Sequence, residues 1–135
     1  MTIWYKKRRN YKYILESNLV FDTGWQLART IQCQFITLTE QGKLSIAQRY
    51  AWDGASGPMP DFPSIMRASL IHDALYQLMR EAHLDAKQYR HAADQILLRV
   101  CLADGMNRLL AYWVYFCVRC FGERASASEL LRFKS

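Results

Sequence analysis

Between positions 34 and 48 the chain alternates. Phe35, Thr37 and Thr39 fall on one face and Ile36 and Leu38 on the other, and Glu40-Gln41-Gly42 interrupts the run as a hairpin turn would. This period of two predicts strands over 34–39 and 43–48. Aromatic and branched residues predict two more over 11–15 and 19–22, with Thr23-Gly24 as punctuation. The first fifty residues are therefore expected to form a small antiparallel sheet or a pair of hairpins.

After position 63 the period lengthens to that of a helix. All three prolines, Pro58, Pro60 and Pro63, and two of the six glycines lie in 53–63, which reads as a restrained loop, with Ser64 as cap of the helix that follows. Helix one is predicted over 64–80, with Ile65, Ala68, His72, Leu75 and Tyr76 on its buried stripe. Helix two is predicted over 85–103, with Ala86, Tyr89, Ala93, Ile96, Leu97 and Val100 inward and Asp94 beside them. Asp104-Gly105 ends it. Helix three, 107–121, is apolar nearly all round, so it is either central to a core or half of a partner surface. Tyr112, Trp113 and Tyr115 are expected in the core, Gly122 is expected to stop the helix, and 126–133 reads as a short basic amphipathic tail. The fold class is α+β: antiparallel strands, then three main helices. At 135 residues one domain is expected.

Charge and cysteine content change this picture little. A formal net charge of +6 suits an anionic partner without choosing one. The run Lys6-Lys7-Arg8-Arg9 reads as a solvated end, and nucleic acid is not the expected partner. No apolar segment follows that run, so it is not a signal peptide, and synthesis in a reducing cytoplasm is expected. No stretch reaches the about 18 apolar residues of a membrane span, so any membrane would be met from its surface. Cys33, Cys101, Cys117 and Cys120 have no framework spacing. They read as reduced thiols, and the Cys117/Cys120 pair lacks a second pair of ligands.

Candidate chemistry centres on His72-Asp73, an imidazole and a carboxylate adjacent in an apolar helix. Ester hydrolysis assisted by calcium needs an imidazole to take a proton from water, a carboxylate on its far nitrogen to fix the tautomer, and a cation for the oxyanion. His72, Asp94 and Asp73 have the residue types for those roles. Calcium takes about 6 to 8 oxygens, so backbone carbonyls must join the carboxylate, and Trp52, Gly54 and Ser56 alternate in a suitable loop.

His72-Asp73-x-x-Tyr76 resembles the His-Asp-x-x-Tyr helix of phospholipases A2. The 22-residue step from His72 to Asp94 is similar to the compact phospholipase domain of parvovirus capsid proteins. Counting back 17, 19 and 21 residues from Asp73, the spacing of the calcium-loop carbonyls in secreted members, gives Ser56, Gly54 and Trp52. The resemblance implies His72 as general base, Asp94 as its orienter, Tyr76 as a second hydrogen bond to Asp94, Asp73 as calcium ligand, and helices one and two packed antiparallel. Asp53 has no counterpart there; it adds a second carboxylate to the metal or turns the loop. Over most of 50–122 the chain also resembles an uncharacterised family of phage, prophage and bacterial proteins. The resemblance lies in Trp52-Asp53-Gly54-Ala55-Ser56-Gly57-Pro58, the Ser69-to-Tyr76 helix, Ala93-Asp94 and Val118-Arg119-Cys120-Phe121-Gly122. This implies a phage or prophage origin, synthesis in the bacterial cytoplasm and phage structural proteins as partners, while the phospholipase resemblance implies phospholipid or a membrane surface.

Two other readings compete. In one, His72, Asp73, Asp94 and Tyr76 form a buried polar cluster in a structural protein, and Asp94 pairs with an arginine such as Arg90 or Arg67. In the other the His-Asp pair belongs to a metal phosphohydrolase, but that class needs an earlier histidine and none precedes His72. His83 and His91 are expected in solvent.

Overall fold

The computed structural model describes residues 3–7, 13–54 and 62–126. The architecture is α+β, with antiparallel strands followed by three helices. The chain divides into two compact units, Met1–Asp53 and Gly54–Ser135.

Among the described residues the first unit holds seven short strands in two antiparallel sheets. Strands β1 (Tyr5–Lys7), β2 (Tyr13–Leu15) and β7 (Ala51–Trp52) form one, in the order β1-β2-β7. Strands β3 (Leu19–Asp22), β4 (Ile31–Gln32), β5 (Ile36–Leu38) and β6 (Lys43–Ile46) form the other, ordered β3-β6-β5-β4. The alternation sets the register. Ile36 pairs with Ile46 and Leu38 with Leu44, all four fully buried, whereas a slip of one residue would turn them outward. The β5–β6 turn needs glycine. Gly42 has φ 85°, and a Cβ there would run into the Trp25 carbonyl and the Thr23 hydroxyl. Thr23 Oγ1 closes the turn by donating to the Gly42 carbonyl at 2.7 Å. In the smaller sheet the rings of Tyr5, Tyr13 and Trp52 pack within 5.2–6.0 Å of one another.

The second unit holds α1 (Pro63–Arg80), α2 (Ala86–Ala103) and α3 (Arg108–Ser126), with α1 packed against α2. Pro63 occupies the first turn of α1 and Phe62 is its N-cap without a side-chain bond, so Ser64 is not the cap. Proline suits that position because its missing N–H is one the helix leaves unpaired. Asp85 caps α2 by accepting from the Lys87 N–H at 3.1 Å, and Asn107 caps α3 by accepting from the Leu109 N–H at 2.8 Å. Gly105, at φ 94°, follows the C-cap Asp104.

Arg67 ties α1 to the end of α2, donating through Nε and Nη2 to both Asp104 oxygens at 3.0 and 2.8 Å. α1 is buried on most of its circumference, including Ile65, Leu70, Ile71, Leu75 and Leu78.

α3 departs from expectation twice. It runs through Gly122 to Ser126, and it buries one apolar face and exposes another: Ala111, Val114, Cys117 and Val118 are buried, while Leu109, Tyr112, Trp113 and Phe116 are exposed. Tyr112 and Trp113 are thus outside the core. Tyr115 is half-buried and meets His91 Nε2 at 3.1 Å. His83 and His91 are exposed. The predicted tail beyond 126 lies outside the described residues. Among the described residues no helix is long and apolar enough to cross a membrane.

Candidate functional site

The site is built on a carboxylate inside the helical unit. Asp94 is 0 % exposed on α2, and both of its oxygens are engaged. His72 and Tyr76, one helical turn apart on α1, converge on Oδ1, with His72 Nε2 at 2.7 Å and Tyr76 Oη at 2.5 Å. Arg119 of α3 donates through Nη1 to Oδ2 at 2.8 Å. The rings of His72 and Tyr76 lie 4.1 Å apart at 37°. One residue of α2 therefore links all three helices.

The protonation pattern follows from the donors. Burial pushes the Asp94 carboxyl up, but the hydrogen bonds from His72, Tyr76 and Arg119 outweigh it and hold the group below its usual value of 3.8. Asp94 is therefore ionised at neutral pH and can only accept, so His72 Nε2 must carry a hydrogen. Burial, followed by the bond to Asp94, raises the Tyr76 phenol far above its usual 10.0, so Tyr76 is a fixed donor. In neutral His72 the lone pair then sits on Nδ1. That nitrogen has no hydrogen-bond partner among the described residues.

The structure brings His72, Asp94 and Tyr76 together, the grouping that the phospholipase A2 resemblance implies. Asp73 follows His72 on α1 and is half-buried. The loop residues fall differently. Trp52 is the buried last residue of β7 in the first unit, Asp53 is exposed at the end of that unit, and Gly54 is buried with φ 84° in the second. Ser56 lies outside the described residues. In chemical type one carboxylate with backbone carbonyls suits calcium. Asp73 and Gly54 are the donors of that set described in the helical unit.

Sequence reasoning missed two members. The arginine on Asp94 is Arg119, not Arg90 or Arg67: Arg67 is engaged by Asp104, and Arg90 Nη1 donates to the Arg119 carbonyl at 3.5 Å. Gly122, read as a helix stop, lies inside α3 against the cluster. A Cβ there would collide with Tyr76 Oη and come within 3.3 Å of Arg90 Nη1. Both carried a signal. A lone arginine in the apolar run 109–121 must find an anion if it is partly buried, and a glycine inside a helix costs about 1 kcal/mol against alanine, which calls for a packing reason.

Comparison of the chain with protein-family models, with curated proteins and with solved structures gave no match.

Proposed function

We propose that this protein is an ester hydrolase of phospholipase A2-like type, of phage or prophage origin, in which His72 acts as general base on water. The supporting observation is the polarity of the imidazole. Its Nε2 is committed to Asp94, which leaves the Nδ1 lone pair as proton acceptor. Asp94 orients the ring and stabilises the imidazolium once formed, while Tyr76 and Arg119 hold Asp94 in place and ionised. Calcium held by Asp73 and the Gly54 carbonyl of the helical unit would supply positive charge for the oxyanion. The test is hydrolysis of short-chain phosphatidylcholine micelles with calcium and with EDTA, for wild type and His72→Gln. Turnover that needs both calcium and His72 supports the reading; turnover unchanged in His72→Gln overturns it.

A second reading is favoured by one observation: Asp94 is fully buried and engaged on both oxygens by donors from two other helices. A polar staple in a non-enzymatic structural or interaction protein of a phage particle would look the same. It predicts no turnover of any micellar ester and a large stability loss on removing Asp94.

A further inference from the structure

The exposed face of α3 has a distinct chemistry. Leu109, Tyr112, Trp113 and Phe116 are 84, 55, 52 and 57 % exposed and recur at helical spacing, so they form one stripe. Trp113 and Phe116 stack with centroids 5.9 Å apart and planes at 24°. Cys120, exposed in the next turn, extends the stripe, and none of these five residues is charged.

We propose that this stripe is a self-association surface, on which a second copy of the chain packs its own α3 antiparallel across a two-fold axis. Three observations choose this occupant. The first is area. A buried aromatic side chain removes roughly 150–250 Å² from water, so three half-exposed aromatics and Leu109 offer roughly 500 Å² per copy and about 1,000 Å² for the pair. That reaches the lower bound of a specific interface, in the class that associates weakly and reversibly.

The second is self-complementarity. With the axis between positions 112 and 113, Tyr112 faces Trp113 of the second copy and Leu109 faces Phe116, so every exposed apolar residue of the stripe meets another. The third is charge. Along α3 the sequence holds one acid, Glu123, and three cations, Arg108, Arg119 and Arg124, of which Arg108 lies beside the stripe's first residue and Arg119 is engaged by Asp94. A parallel pair would set Arg108 against Arg108. The antiparallel pair separates them by about 14 Å along the axis, beyond a Debye length of about 8 Å in physiological salt.

Sedimentation velocity of the full chain from about 1 µM to several hundred µM tests this. The mass is expected to rise from the 15.8 kDa monomer toward twice that value. Trp113→Glu and Trp113→Lys chains should each stay monomeric, with unchanged circular dichroism because the position is exposed, and a mixture of the two should associate. Phe116→Ser, a milder change, should weaken association at least tenfold. A wild-type chain that is monomeric throughout overturns the proposal, as does a dimer that Trp113→Glu and Phe116→Ser leave intact. Flotation with phosphatidylglycerol vesicles covers the other occupant: a monomeric wild type that floats, and a Trp113→Glu chain that does not, assigns the stripe to lipid and overturns the proposal.

Discussion

Arg119 and His72 hold opposite oxygens of one carboxylate: Arg119 Nη1 is 2.8 Å from Asp94 Oδ2 and His72 Nε2 is 2.7 Å from Asp94 Oδ1. The guanidinium, with the His72 and Tyr76 hydrogen bonds, keeps the buried Asp94 ionised.

Removing Asp94 should therefore be costly. Asp94→Ala strands the hydrogen-bonding groups of His72, Tyr76 and Arg119, and breaking a buried pair in this way costs about 3–5 kcal/mol. Asp94→Asn, which keeps an acceptor oxygen but not the charge, should cost less. Urea denaturation of the two variants checks the order, and an Asp94→Ala loss under about 1 kcal/mol would contradict the assignment of Asp94 as the link between helices.

Acid sensitivity follows from the same group. Its folded pKa lies below the usual 3.8, so the stability it contributes is complete above that value and is lost as pH falls through the lower, folded one. Tyr76 works in the other direction. Its folded pKa lies above 10.0, so its contribution is complete below pH 10 and is lost only as pH rises further. Melting temperature measured from pH 2 to pH 7 should show a steep acid limb, and that limb should flatten in Asp94→Asn. An equally steep limb in the variant would place the acid-sensitive group elsewhere.

Gly122 gives a steric test. A methyl at this position meets the Tyr76 hydroxyl, so Gly122→Ala should cost about 1–3 kcal/mol, the usual range for overpacking, despite alanine's better helix propensity. In a Tyr76→Phe background the obstructing oxygen is gone and the penalty should shrink. Additive effects in this double-mutant cycle would show that the two residues do not press on each other.

Weak calcium binding is the expectation for a donor set with one or two carboxylates and mainly backbone carbonyls, with Kd on the order of 10⁻⁴ to 10⁻³ M as in extracellular modules. Calorimetric titration should show this affinity and its loss in Asp73→Asn. Sub-micromolar binding would require a donor set richer in carboxylates.

The sequence made some parts legible and others not, for physical reasons. Alternation over 34–48 carried the β5–β6 register because a one-residue slip would expose Ile36, Leu38, Leu44 and Ile46 together. The His72, Tyr76 and Asp94 contact was implied by the phospholipase A2 resemblance; spacing alone put His72 and Tyr76 on one helix face and Asp94 beside the inward stripe of the next helix. Arg119 was not, since a helical period does not report which distant carboxylate an arginine reaches. The exposure of Tyr112 and Trp113 was hidden for a related reason: a helix apolar on all sides has no pattern to say which face is left to solvent. Gly122 looked like a helix end because glycine most often is one, and here the missing Cβ serves Tyr76 instead.

The most direct test of the central claim is the rate of phosphatidylcholine hydrolysis as a function of pH, for wild type and His72→Gln, at millimolar calcium. A neutral imidazole acting as base predicts a rate that rises with pH along a single protonation curve and falls by about 10²- to 10⁴-fold in the variant, with the fold retained by circular dichroism. No hydrolysis by the wild type across this range, or a rate unchanged in His72→Gln, would contradict it.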